Sequence, residues 1–494
     1  MRFYAAALAV LLAIPAAAQF KETLEVRLLE VEATVLDAKG HPVETLTRGD
    51  FTVTLDGKPA EITNFSLVRG GAVPENGAPV ATRVVVFIDD QHLHPDSKQH
   101  AIHGIKEYVA RTIDEWTTVT VVTWNTTLHT RMPPTNQREP ILRVLDTIAR
   151  ELPLGMSVEG ERRALSRLCS MDQTACAAAV PYFAESQAKD AERTIEALRE
   201  VIASIGGLEG RKSVLFVSEG LPMLPGVEMF SRVRLSTGDH LGALKLSKKR
   251  ELRALAHEAQ DKGIVFNTID PTIGLGASSP MNPYNIDYKQ IRDNARQTGQ
   301  LLARETGGRL IADRNDLHHA LAELDEQVST YYSMAVRAPA RTDEAKVQVR
   351  LNGHPELRVL TATRRSLQTR EAHVSSAVRA QLYERREVNP LEARLFIEMA
   401  QADRCVAAMN LLVPKARVSL SHAVDVRLAV LDQLDQESDV YSSTILITPR
   451  HGAVVGQAIP VLLEKGGRYV LSVALIDRAT GVTSYLQRDV DCTR

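Results

Sequence analysis

The sequence predicts an α/β protein: a doubly wound, mostly parallel sheet with a β-rich N-terminal flank and a C-terminal β-sandwich. Three observations carry that expectation. The run Val84-Val85-Val86-Phe87-Ile88-Asp89-Asp90 is apolar without polar alternation, the pattern of a strand buried on both faces of a parallel sheet. A second run of the same kind, Ser213-Val214-Leu215-Phe216-Val217, leads into Ser218-Glu219-Gly220. Between and after these runs, strand-like and helix-like periodicities alternate, as they do in βαβ units.

Along the chain, residues 24–69 alternate with period two around turns at Ala38-Lys39-Gly40 and Asp56-Gly57-Lys58, which reads as antiparallel strands that need a later partner. Residues 70–79, rich in Gly, Pro and Asn, form a linker. Strands are expected near 83–89, 118–124, 127–131, 213–218, 263–268 and 308–312. Helices are expected near 96–114, 138–151, 189–205, 247–261, 285–306 and 315–329. Residues 153–188 interrupt the rhythm as an insertion, and 271–285 read as a surface loop near the strand ends. Tyr331 and Tyr332 join the sheet domain to the next strands, at 332–337, 347–351 and 357–363. A charged linker helix is expected within 364–388. Segments near 393–399, 425–431, 443–448, 469–476 and 482–488 suggest the sandwich. The expected division is 1–18, 19–79, 80–330, 331–388 and 389–494.

Residues 1–18 carry Arg2, an apolar stretch from Ala5 to Ile14, Pro15 and Ala16-Ala17-Ala18, the pattern of a signal peptide cleaved before Gln19. The stretch is shorter than the roughly 20 apolar residues that span a bilayer. Export to the periplasm or exterior is expected, with no membrane contact after cleavage. The 59 basic and 61 acidic residues nearly balance, so no long-range field attracts nucleic acid or an anionic membrane. Export permits disulfides, and Cys169 with Cys176, and Cys405 with Cys492, are the expected pairs among three connectivities. No CxxC occurs, which removes the usual signature of a structural zinc.

In an open parallel sheet, ligands bind beyond the carboxyl ends of the strands at the switch point. If the first and fourth strands are neighbours, Asp89 or Asp90 and Glu219 face one another there. Two like charges about 4 Å apart repel by roughly 4 kcal/mol at an effective dielectric near 20. They need a cation such as Mg or Ca, a basic neighbour or a shared proton. In the plainer reading one acid caps the following helix and the others pair with Arg211 or Lys212, or face water. His92 and His94 beside Asp89 form an HxH element, with His100 and His103 in the next helix. A metal-dependent hydrolase using Asp89, His92, His94 and Glu219 is the alternative these residues raise. No GxSxG is present, and Gly206 to Ser213 precedes a strand instead of following one, so neither a nucleophile elbow nor a phosphate loop is expected.

Together the segments Val31 to Val43, Leu46-Thr47-Arg48-Gly49-Asp50-Phe51, Asp56-Gly57-Lys58-Pro59, Val86 to Leu93, Gly210-Arg211-Lys212-Ser213, Asn267 to Pro271, Glu305 to Arg309 and Tyr331-Tyr332 resemble secreted bacterial proteins of the acidobacterial type. Those proteins carry a von Willebrand factor type A (VWA) related domain. The resemblance covers most of the mature chain. It implies a VWA-like, Rossmann-type domain with an adhesion or scaffold role; with the fold pattern, the export signal and the lack of any complete catalytic constellation, a protein partner and no enzymatic activity are expected. In the wider family it also implies a metal-ion-dependent adhesion site built from Asp-x-Ser-x-Ser, a Thr and an Asp. Carried over, Asp89 matches the first Asp, Gln91 and Leu93 stand in place of the serines, and Glu219 stands in place of the last Asp. Thr194 is the nearest candidate for the Thr. Because Leu93 offers no oxygen, the resemblance implies a degenerate site in which Asp89 and Glu219 remain as metal ligands at most. Asp90, Gln91 and Ser218 would then line a binding rim, with no resident cofactor.

Overall fold

A computed structural model describes residues 27–69, 81–208, 210–233, 240–272, 287–312, 316–338, 344–366, 370–383, 388–401, 405–418, 423–433, 437–446, 454–463 and 467–492. The expected signal peptide, the linker and most of the 271–285 loop lie outside these residues.

At the centre is a six-stranded sheet in the order Leu310–Ile311, Ile264–Ile269, Arg211–Val217, Thr82–Asp89, Thr117–Trp124, Leu128–Thr135. All neighbours are parallel except the last pair, which is an antiparallel hairpin. The β-branched runs suit a pleated surface buried on both sides. Val84, Val86 and Ile88 pack toward Ile102, Ile105, Ile141 and Leu321, on helices Pro95–Thr112, Arg138–Arg150 and Leu317–Ser329. Val85 and Phe87 point the other way, into Leu198, Ile202, Leu255 and Leu302 on helices Gln173–Gly206, Lys249–Asp261 and Tyr288–Thr306. The sheet is therefore doubly wound. The two apolar runs, 84–88 and 213–217, pair directly, Phe87 opposite Phe216 and Ile88 opposite Val217, with the two phenyl rings edge to face at 5.6 Å.

The 153–188 insertion is helical and not an irregular interruption. It comprises Gly155–Met171 and the first half of the 34-residue helix Gln173–Gly206. Asp172 starts the second helix by accepting from the N–H groups of Thr174 and Ala175, and Cys169 and Cys176 are disulfide-bonded across the turn. Pro181 lies inside that helix. An interior proline removes one helical hydrogen bond, so periodicity alone begins the helix after it.

Residues 19–79 and 331–388, separate pieces by sequence, contribute strands to the same two sheets. Arg27–Leu36 runs antiparallel to Tyr331–Ala338, and Phe51–Leu55 to Glu344–Leu351. Leu29, Val31, Val53, Met334 and Val347 share one core there. Tyr332 anchors it: its ring packs on Phe51 and Phe65, and its hydroxyl donates to Val43 O while accepting from Leu46 N. Helix Arg370–Tyr383 occupies part of the expected linker.

The C-terminal sandwich has two sheets, ordered Arg394–Gln401, Cys405–Pro414, Val454–Leu463 and Tyr441–Leu446, Ala423–Leu431, Arg468–Asp477, Thr483–Asp491. Sequence periodicity misses Cys405–Pro414 and Val454–Leu463. The first alternates in burial through Ala407, Met409, Leu411 and Val413 but lacks charged outward residues to mark the period; the second contains Pro460, which argues against a central strand. It is an edge strand. Cys492 is disulfide-bonded, and the side chain of Cys405, its expected partner, lies outside the described residues.

Candidate functional site

Because the first and fourth strands are parallel and in register, their C-terminal ends place Asp89 beside Ser218. The chain then turns sharply, with the N–H groups of His92 and Leu93 both donating to Asp89 O. Asp89 is wholly buried. Its Oδ2 accepts from Ser218 Oγ at 2.6 Å and lies 2.8 Å from His92 Nδ1. Gly220 makes room for that imidazole, since a Cβ there would lie 2.9 Å from His92 Cβ.

Asp90 is buried and paired with Lys98 Nζ at 2.8 Å, and the Lys98 side chain is fully enclosed. Burial pushes the Asp90 carboxyl above its ordinary range, while the Lys98 ammonium pulls it back. Lys98 also donates to Glu151 O. Gln91 N donates to Trp124 O.

Glu219 faces a helix. Helix Pro95–Thr112 begins with His94 at the N-cap, which supplies no side-chain cap, and Pro95 at its first turn. Glu219 supplies what that sequence lacks: Oε2 accepts from His94 N at 2.7 Å, and Oε1 accepts from Ser97 Oγ at 2.6 Å. The helix dipole adds to the attraction for an anion. His94 Nδ1 is 3.1 Å from the same carboxylate, which raises the histidine pKa above 6.5.

The insertion sits on this turn. Leu154 N donates to Asp90 O at 2.7 Å and Gly155 N to Leu93 O at 3.2 Å. A Cβ on Gly155 would lie 2.3 Å from Leu93 O, so only glycine lets the helix start approach so closely. Farther along, Arg162 bridges Glu159 and Glu228, and Glu159 also accepts from Tyr288 Oη. These contacts tie the insertion to the loop after the fourth strand and to helix Tyr288–Thr306. Leu152, Leu154 and Met156 are left exposed above the rim.

The structure thus gathers Asp89, Asp90, Gln91, His92, His94, Ser218 and Glu219 at one end of the sheet. Arg211 and Lys212 are not their partners. Both begin their strand at the opposite end, where Arg211 lies 4.0 Å over the Tyr331 ring and Lys212 Nζ donates to Leu208 O. Thr194 is engaged elsewhere, accepting from Trp124 Nε1 and donating to Asp190 O. Lys98, Ser97 and the Leu152 to Met156 turn were missed in the sequence. An i, i+3 reading from Pro95 could have found Ser97 and Lys98 on the first helical turn.

Chemically, the arrangement holds its charges in place. Ser218 donates to the Asp89 carboxylate, which also lies against the His92 imidazole. Of the oxygens a hard cation would use, Leu93 supplies none, both of Glu219 are engaged by the helix start, and Asp89 Oδ2 is engaged by Ser218 and His92. Asp89 Oδ1 and Gln91 Oε1 are buried without a hydrogen-bond partner among the described residues. No group of three or more His, Cys, Asp and Glu side chains suited to a metal occurs among those residues.

Strand order and helix placement define a doubly wound, mostly parallel α/β domain carrying additional antiparallel sheets. No protein-family profile and no curated protein matches the sequence. Similar solved structures include the conserved hypothetical protein BatB from Bacteroides thetaiotaomicron, at 13% identity over 51% of this chain and 97% of that one, TM-score 0.27. The vWF domain of the type V pili tip protein Mfa5 from Porphyromonas gingivalis is 11% identical over 50% of this chain and 95% of its own, TM-score 0.28. A von Willebrand factor type A protein from Catenulispora acidiphila is 8% identical over 95% and 74%, TM-score 0.25. At such scores the fold rests on the sheet order itself. No helix among the described residues is long and apolar enough to cross a membrane.

Proposed function

We propose that this chain is an exported, non-enzymatic VWA-related binding or scaffold protein whose partner-contacting rim lies at the strand C-termini, around a degenerate metal-ion-dependent adhesion site. One observation carries the reading: Asp89 Oδ2, Asp90 and both oxygens of Glu219 are engaged by internal partners, and the insertion is hydrogen-bonded onto the same turn. Asp89 and Glu219, the two residues a metal would need, act as a turn anchor and a helix cap. What the rim offers a partner is the part-buried Ser218 and the exposed Leu152, Leu154 and Met156, while Asp90 and Gln91, expected on the rim, are buried beneath it. Apolar side chains in an otherwise polar surface suit a protein contact. The resemblance of the sequence to secreted VWA-related proteins points the same way.

Two measurements on the mature full-length protein test it. Thermal unfolding with Mg, Ca, Mn or Zn is expected to show no specific stabilisation, whereas an ion at about 100 times its Kd would add about 2.7 kcal/mol. A stabilisation abolished by Asp89→Ala would overturn the degenerate-site reading. Photo-crosslinking in envelope preparations from position 154 is expected to give a discrete protein adduct. The same probe at position 116, at the opposite end of the sheet, is expected to give none. Equal labelling from both ends would remove the rim as the contact face.

A further inference from the structure

Helix Lys249–Asp261 is divided by face. Leu252, Leu255, Ala256 and Ala259 pack into the core, and the outer face carries Lys249, Arg253 and His257 at positions i, i+4 and i+8, with Arg250 beside them. Lys249, Arg250 and Arg253 are exposed and His257 is half-buried. Lys245, exposed at the end of helix His240–Lys245, joins them in lining an open groove of about 740 Å³ that contains one acid, Glu251.

Cations close to this groove are paired within the fold: Lys248 is buried against Glu192, and Arg199 bridges Glu196 and Glu258. The groove residues are not. Among the described residues, the side chains of Lys245, Lys249 and His257 form no ion pair and no hydrogen bond. Arg250 is 92% exposed and lies 3.7 Å from Glu251. Arg253 attracts Glu305 without pairing with it, since that carboxylate is held by Thr363 and Arg304. The chain as a whole is close to neutral, with 59 basic and 61 acidic residues. The groove thus concentrates positive charge that no internal partner consumes, and a cleft lined by one sign of charge focuses its field on an incoming ligand of the other.

Spacing and lining narrow the occupant. Four residues of helix rise about 6 Å, so Lys249, Arg253 and His257 present positive or protonatable groups at about that interval. Every second side chain of an extended segment recurs at about 6.7 Å, a difference that long Lys and Arg side chains absorb. No Phe, Tyr or Trp lines the groove, which leaves nucleobases nothing to stack on, and a recess does not match the surface of a bilayer. The helix follows strand Arg211–Val217, and Lys248 N donates to Met223 O, so the row begins at the same end of the sheet as the rim. A protein held at the rim reaches it. We propose that this groove docks an extended acidic segment of a partner protein, with Asp or Glu at every second position. The choice of a protein as occupant rests on the reading of the rim, whereas the charge and spacing of the groove do not.

The test is binding of labelled synthetic peptides to the mature full-length protein at low ionic strength. A peptide with Glu at every second position and Ser between is expected to bind, to weaken as salt is added, and to bind the Lys249→Glu, Arg253→Glu double variant about tenfold more weakly than wild type. The same composition with its Glu residues gathered at one end is expected to bind several-fold more weakly. Both replaced residues are exposed, so the variant keeps its fold, which circular dichroism checks. Arg468→Glu, on the C-terminal sandwich and 79% exposed, is expected to bind like wild type. Absence of binding would overturn the proposal, as would equal binding of the two peptides or equal weakening by Arg468→Glu. Tighter binding of single-stranded DNA, a uronic acid polymer or anionic vesicles, lost in the double variant, would assign the groove to that polyanion and overturn the protein partner. Crosslinking from position 154 separates the two surfaces: a rim adduct without peptide binding removes the groove alone, and peptide binding without a rim adduct removes the rim alone.

Discussion

Glu219 Oε2 lies 2.7 Å from the backbone nitrogen of His94, so the carboxylate that ends one strand caps the helix that follows its neighbour. A second oxygen holds Ser97 at the first turn of the same helix. The carboxylate is stabilising where it stands, and that sign separates a cap from a metal ligand.

Glu219→Ala is therefore expected to lower stability by about 1 to 2 kcal/mol, the usual cost of losing an N-cap. Glu219→Gln, which keeps an acceptor, should lose less. Were the rim carboxylates mutually repelling ligands without an ion, removing one would raise stability. Urea unfolding of the metal-free protein decides the sign.

His94 titrates above 6.5 because Glu219 holds its charged form. A raised histidine pKa contributes stability that is complete below the unfolded value and fades as pH rises through the folded one. The destabilisation by His94→Ala is thus expected to be larger near pH 6 than near pH 8.5. Equal losses at both pH values would mean that the imidazole charge does not contribute.

Lys98 is the cation ion-paired with Asp90. Lys98→Met leaves a buried carboxylate without its ammonium, which costs about 3 to 5 kcal/mol while the acid stays ionised. Asp90 then binds a proton more readily in the folded state than in the unfolded chain, so stability falls as pH rises. The loss should be greater at about pH 8 than at about pH 5, and adding Asp90→Asn should restore much of it. A pH-independent loss would argue against the pairing.

Gly155 and Gly160 lie five positions apart in one helix and should respond oppositely to alanine. At Gly155 the new Cβ meets backbone at 2.3 Å, whereas at Gly160 nothing lies within 4 Å. Gly155→Ala is expected to cost about 1 to 3 kcal/mol and to open the Leu152 to Met156 turn to proteolysis. Gly160→Ala should stabilise by up to about 1 kcal/mol through helix propensity. Limited proteolysis with thermal unfolding reads both.

The two strands at the middle of the central sheet were legible because their burial on both faces leaves apolar runs with no alternation. The runs 84–88 and 213–217 name their own positions in the sheet. The helices behind them carry clear periodicity from Ile102 to Val109 and from Leu252 to Ala259. The 173–206 helix was legible only in its second half, where no proline interrupts it. Strand Val454–Leu463 was hidden by Pro460, whose tolerance depends on lying at an edge, a property of the assembled sheet.

Chemistry at the rim divides the same way. Local sequence dictates that acids emerge at two strand ends, since each follows an apolar run by one or two residues, and the parallel pairing brings them to one face. Which group neutralises each acid is a matter of distances between segments remote in the chain. Lys98 reaches Asp90 from the following helix, Ser218 reaches Asp89 across 129 positions, and Glu219 reaches His94 across 125. Burial periodicity is set by neighbours one to four residues away and survives in the linear order. Hydrogen bonds and ion pairs act over a few ångströms and are selected only once packing has brought their partners together.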